Sequence, residues 1–148
     1  MACRAKSQKK LEVLASFVHE AGNKLQIKGS MTAEAAHRAV DTCVDAIVVS
    51  NPGGRVLEHC PARPKPCLPF AGTVCDQIHI FVGGGIRTGV DVLNMLALGA
   101  KTVLIGRPVS VTAIGGCFEG GKDQFTLAML LTGCASLSDI DGRLLYCG

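Results

Sequence analysis

Apolar and polar positions alternate in two rhythms along this 148-residue chain. Four short stretches are nearly unbroken in apolarity: KLQIKG (24–29), DAIVVSN (45–51), IHIFVGG (78–84) and TVLIGRP (102–108). Runs of this length, rich in β-branched residues, predict parallel strands covered on both faces. Between them the apolar positions recur at helical spacing. SQKKLEVLASFVHEAG predicts a helix capped by Ser7, with Leu11, Leu14 and Val18 on one face and Gly22 as its stop. A second helix is expected from the cap Thr32 through AEAAHRAVDT. A third is expected in GVDVLNMLALG, closed by Gly99, and a fourth in GGKDQFTLAMLLTG. The order α-β-α-β-loop-β-α-β-α is that of an α/β chain with right-handed crossovers. Only HCPARPKPCLPFAGTVCD (59–76) breaks the rhythm. Pro61, Pro64, Pro66 and Pro69 oppose the helix due there, so the segment reads as irregular.

Composition narrows the class. With 48% hydrophobic and 18% charged residues, the chain reads as one globular unit with a real core, not a disordered one. A net charge of +3 is too small to argue for nucleic acid, and Arg4, Lys6, Lys9 and Lys10 read as a solvated face. No apolar run approaches membrane-spanning length. The eight cysteines include no CxxC pair, and the basic start MACRAKSQKK lacks a signal peptide's apolar stretch. The expectation is reduced thiols in a cytoplasmic protein; a zinc site is left open, with no metal ligand assigned.

In parallel α/β folds ligands bind where strands end. Here every strand ends in glycine or polar residues: Lys28-Gly29, Ser50 to Arg55, Gly83 to Arg87, and Gly106-Arg107-Pro108. Glycines let backbone N–H groups approach an anion, and an arginine grips a phosphate with two donors. One such turn reads as a tight turn beside a surface arginine. GGGIR and GRP on consecutive strands point to a phosphate site.

KG-x-MT, VVSN-x-GGR, GGIR-x-G-x-DV-x-x-x-LALGA and LIGRP, in this order, resemble the C-terminal half of FMN-dependent α-hydroxy-acid oxidases and dehydrogenases. VVSNPGGRVLEH and AMLLTGCASLSDID are similar to the lactate-oxidase-like branch. The resemblance spans about residues 8 to 141 and is weakest over 59–76. It implies the C-terminal half of a (β/α)8 TIM barrel, strands five to eight, as a single partial domain over 1–148. It implies FMN as cofactor and oxidation of an L-2-hydroxy acid such as lactate to a 2-oxo acid. By the same resemblance Lys28 and Ser50 contact the flavin. Gly84, Gly85 and Arg87 hold its ribityl-phosphate region, Gly106 and Arg107 hold the phosphate, and Arg55 binds the substrate carboxylate. Read without the family, Lys28 at a strand end suits an electron sink or is simply solvated, and Arg55 suits a carboxylate ligand or is a loop arginine paired with Glu58.

The sequence departs from the family pattern at three positions. Pro52 stands where the family has the histidine that takes the substrate proton, and proline has no titratable side chain. His59 is expected to be a surface loop residue, and His19, His37 and His79 to be structural. Gly83 stands where the family has an aspartate that orients the ribityl chain. Cys43 stands at a helix-ending glycine position, where a positive φ would strain it. A full barrel needs about 250 residues, so four strands leave two edges unpaired. A complementary half-barrel or self-association is expected to cover them. The competing readings are a non-catalytic flavin- or phosphate-binding module, an isomerase or synthase from another phosphate-binding barrel, and a fragment that binds nothing.

Overall fold

The computed structural model describes residues 2–30, 32–50, 74, 77–106 and 119–145. Four strands form one parallel sheet in the order β1-β2-β3-β4: β1 (Gln26–Ser30), β2 (Ala46–Val49), β3 (His79–Gly83) and β4 (Thr102–Leu104). Helix α1 (Ala2–Glu20) precedes β1, α2 (Ala33–Asp41) joins β1 to β2, α3 (Gly89–Ala97) joins β3 to β4, and α4 (Glu119–Thr132) follows β4. Two short 3-10 turns, Leu137–Asp139 and Gly142–Leu144, come after α4.

The expectation of strands covered on both faces holds for the middle of the sheet and fails at its edges. All four residues of β2 are buried, as are Ile80, Val82 and Gly83 of β3. Ile47, Val49 and Val82 are fully enclosed by Ala36, Ala39, Ile86, Met95 and Ala100. Burial of each such side chain stabilises the fold by about 1.5–3 kcal/mol. In β4, by contrast, Leu104 is 40% exposed, because no described strand pairs with its outer side. β1 occupies the opposite edge. Its register against β2 slips between Lys28 and Ser30, and Gly29 takes up the extra residue with φ +97°.

Four helices end in one way. Gly22, Gly99 and Gly133 adopt φ of 71°, 91° and 75° just beyond α1, α3 and α4. The residue after each donates its N–H five residues back, as Ala100 does to the Met95 carbonyl at 3.1 Å. α2 closes by the same geometry, with Val44 N–H donating to Ala39 O at 3.1 Å, but its left-handed residue is Cys43 at φ 56°. The strain expected at this cysteine is therefore present. The helix starts are less uniform. Thr32 caps α2, its Oγ1 accepting from the Ala35 amide at 3.2 Å. Ser7 is not the cap expected of it: α1 begins at Ala2, so Ser7 lies inside the helix, since the residues before it include no glycine or proline to stop it. Within α1, Leu11 packs on the core, whereas Leu14 is largely exposed. No described helix is long and apolar enough to cross a membrane. Apart from Val74 the irregular segment 59–76 lies outside the described residues.

Candidate functional site

The carboxyl ends of the strands carry the candidate site. At β1, Lys28 is exposed immediately before the Gly29 bulge, a distortion that often re-aims a side chain beside an active site. At β2, Ser50 follows the last strand residue and is only 4% exposed. Its Oγ is buried with no hydrogen-bond partner among the described residues. A buried hydroxyl without a partner is costly and uncommon, so this atom marks a place where a polar group is due. At β3, Gly84 and Gly85 take φ of 104° and 74° in succession. L-residues avoid that conformation, so the turn requires both glycines. At β4, Gly106 is exposed, and a Cβ built on it would touch nothing within 4 Å. Its glycine identity is not demanded by packing.

The turn after β3 leads into α3 through a set of hydrogen bonds centred on Thr88 and Asp91. The Asp91 carboxylate, 8% exposed, accepts from the backbone amides of Arg87 and Thr88 at 3.1 Å each and from Thr88 Oγ1 at 3.0 Å. Thr88 Oγ1 in turn accepts from the Asp91 amide at 3.1 Å, completing a capping box. The Gly89 amide donates to Gln124 Oε1 of α4 at 3.3 Å. These donors at the start of α3 are thus occupied within the protein, and a carboxylate sits among them. An anion would meet the preceding turn, Gly84–Ile86, instead. The Arg87 side chain is exposed.

The amino ends of the strands are built otherwise. Asp45, just before β2, accepts from the Leu25 amide at 2.8 Å and pairs with His19 Nε2 at 2.9 Å. The hydrogen bond from His19, followed by that from Leu25, lowers the Asp45 carboxyl below its ordinary range. His19 is structural, as expected. A surface hollow of about 240 Å³ opens here, lined by Asp45, Gln77, Ile78, His79, Ile80, Gly99 and Lys101. It lies at the opposite end of the sheet from Ser50 and the glycine turn, so it is no part of that site.

Lys28, Ser50, Gly84, Gly85, Arg87 and Gly106 thus all stand at the carboxyl ends of neighbouring strands. Arg55, Arg107, Pro52 and His59 lie outside the described residues. Gly83 faces Leu104 across the β3–β4 pair, and a Cβ at 83 would lie 3.3 Å from Leu104 Cβ. That is tight, but Leu104 sits on an exposed edge and has room to yield.

A family profile described as FMN-dependent dehydrogenase matches residues 2–147. The chain belongs to that family. FMN is accordingly the family's cofactor, and the four parallel strands with their helices are the C-terminal half of its (β/α)8 barrel. A peroxisomal (S)-2-hydroxyacid oxidase of Arabidopsis thaliana is 39% identical over 122 residues, covering 77% of this chain and 33% of the relative. 2-Hydroxyacid oxidase 2 of Bos taurus is 39% identical over 129 residues, covering 80% and 36%. Among solved structures, mandelate oxidase with benzoyl-formic acid superposes with a TM-score of 0.78 at 32% identity, covering 90% of this chain and 41% of that one. A flavocytochrome b2 variant with pyruvate bound superposes with a TM-score of 0.81 at 29% identity, covering 93% and 37%. The chain spans about a third of the length of the curated relatives it matches.

The residues at the carboxyl ends fit an FMN-dependent dehydrogenase. A flavin is polar along one ring edge and along its ribityl chain, and the unpartnered Ser50 hydroxyl offers such a group a hydrogen bond. The two left-handed glycines present backbone without Cβ atoms in the way. The capping box at 88–91 and the Gln124 contact had no counterpart in the sequence reading. The T-x-x-D pattern at 88–91 announces the first, whereas nothing local announces the second.

Proposed function

We propose that this chain supplies the FMN-binding half of a 2-hydroxy-acid oxidoreductase. The carrying observation is the buried, unpartnered Ser50 Oγ at the end of β2, beside the consecutive left-handed glycines at the end of β3. In this reading Lys28 and Ser50 lie against the isoalloxazine, Lys28 placing an ammonium where negative charge gathers. Gly84, Gly85 and Arg87 hold the ribityl-phosphate, joined by Gly106 and Arg107, and Arg55 receives the carboxylate of an L-2-hydroxy acid such as lactate. FMN, when bound, accepts the hydride equivalent that leaves C2 of the substrate. The proton on the substrate hydroxyl needs a base, and Pro52 offers none.

That proline favours a second reading: a module that binds flavin and does not turn over. The two readings share the need for a cover. Among the described residues β1 and β4 are the edges of the sheet, Phe17 of α1 is 70% exposed and Leu131 of α4 is 80% exposed. A complementary half-barrel or a second copy of this chain is the partner that suits these surfaces.

One experiment separates the readings. The purified chain is titrated with FMN while its absorbance spectrum is followed, and L-lactate is then added without oxygen. Saturable FMN binding is expected. Bleaching would establish turnover, and a spectrum that stays oxidised selects the non-catalytic module. Absence of binding would overturn both.

A further inference from the structure

α4 does two things at once. It follows β4 and Gly106 in the chain, and it grips the start of α3, which follows the strand-end turn Gly84–Arg87. The grip is close. A Cβ placed on Gly89 would come within 2.7 Å of the Gln124 carbonyl carbon and the Phe125 Cα, and closer still to the Phe125 nitrogen. Backbone therefore lies against backbone where α3 begins. At that point Gln124 Oε1 accepts from the Gly89 amide, 35 residues away in sequence. Two residues earlier, the Arg87 amide is held by Asp91. An unbroken set of contacts thus runs from α4 through Gly89, Thr88 and Asp91 to the end of the glycine turn.

We propose that Gln124 is a positioning residue for this turn: it anchors the first amide of α3 to α4 and so fixes Gly84–Arg87 in place. The turn that would hold the ribityl-phosphate is then kept in place by a side chain that touches no ligand. The proposal deepens the flavin reading, on which only its ligand readout rests.

The test compares the wild-type chain with Gln124→Met and Gln124→Glu. Methionine keeps the length and removes the acceptor; glutamate keeps an acceptor oxygen. Amide hydrogen exchange over residues 84–89, FMN affinity by titration and the thermal midpoint are measured on each. For Gln124→Met, faster exchange at 84–89 is expected, together with about a fivefold loss of FMN affinity, the scale of one lost hydrogen bond. The midpoint should fall by at most about 3 °C, the scale of one hydrogen bond, and Gln124→Glu should restore both readouts. Wild-type exchange and affinity in Gln124→Met would overturn the proposal, as would a lowered midpoint with exchange at 84–89 unchanged. Should the wild type bind no FMN, the flavin reading falls, and the exchange comparison still decides the role of Gln124.

Discussion

The four strands have two ends, and the polar groups at those ends are treated in opposite ways. At the amino ends, Asp45 is satisfied by Leu25 and His19, closing α1 onto β2. At the carboxyl ends, Ser50 Oγ is enclosed without a described partner, and two successive residues sit in a backbone region that only glycine enters freely. The amino ends are finished as structure. The carboxyl ends retain unmet polar demand and backbone conformations with no packing benefit of their own. Such features persist at functional sites, where a ligand supplies the missing contact.

The contrast is broken most severely at Gly89, where α3 starts on the carboxyl side. Gly89→Ala puts a methyl group into the α4 backbone. Backbone cannot swing aside as a side chain can, so α3 and α4 must separate. A loss of about 3 kcal/mol is expected, at the upper end of ordinary overpacking. Denaturant unfolding of the variant measures it. A loss below about 1 kcal/mol would show that the α3–α4 junction is looser than the geometry implies.

Ser50 sharpens the contrast, because its removal should help the free protein and harm the bound one. Ser50→Ala deletes a buried hydroxyl that has no partner among the described residues, so stability without flavin should rise by about 1 kcal/mol. For a domain of this size that is a rise of about 3 °C in the thermal midpoint. FMN affinity should fall in the same variant. A lower midpoint would mean that the hydroxyl is already satisfied, and the principal mark of the site would be lost.

Much of this was legible in the sequence, for identifiable reasons. β2 and β3 were readable because each carries a continuous apolar run, the pattern of a strand covered on both faces. The same reading misjudged β4, where Leu104 and the following Ile105 stay 40% and 39% exposed. Apolarity states what a strand would bury, not whether a cover is present. Gly22, Gly99 and Gly133 announced their helix ends, and Cys43 announced its strain, because C-terminal capping is local. Ser7 misled: a good capping residue begins a helix only if something stops the helix earlier. The Gln124–Gly89 contact was invisible, because it depends on how two helices pack across 35 residues. Ser50 was named by family resemblance. Its missing partner is a three-dimensional property that no string of residues displays.

Acid separates the two ends by the smallest margin. The hydrogen bonds from His19 and Leu25 hold the Asp45 carboxyl below its ordinary value of 3.8. A carboxyl whose folded pKa lies below its unfolded one contributes stability that is complete above the unfolded value. That contribution fades as pH falls below 3.8 toward the folded value. Asp45→Asn keeps an acceptor for the Leu25 amide and removes the charge that faces His19. The pair is partly exposed, so water screens it, and the expected cost at neutral pH is about 0.5 kcal/mol. Wild type and variant should converge as pH drops through the acid range, with Ser50→Ala keeping its separation from wild type throughout because it carries no titrating group. Unfolding curves for the three proteins at a series of pH values read this directly. A constant gap between wild type and Asp45→Asn down to strongly acid pH would show that the Asp45 charge contributes nothing, and that the amino ends are held by apolar packing alone.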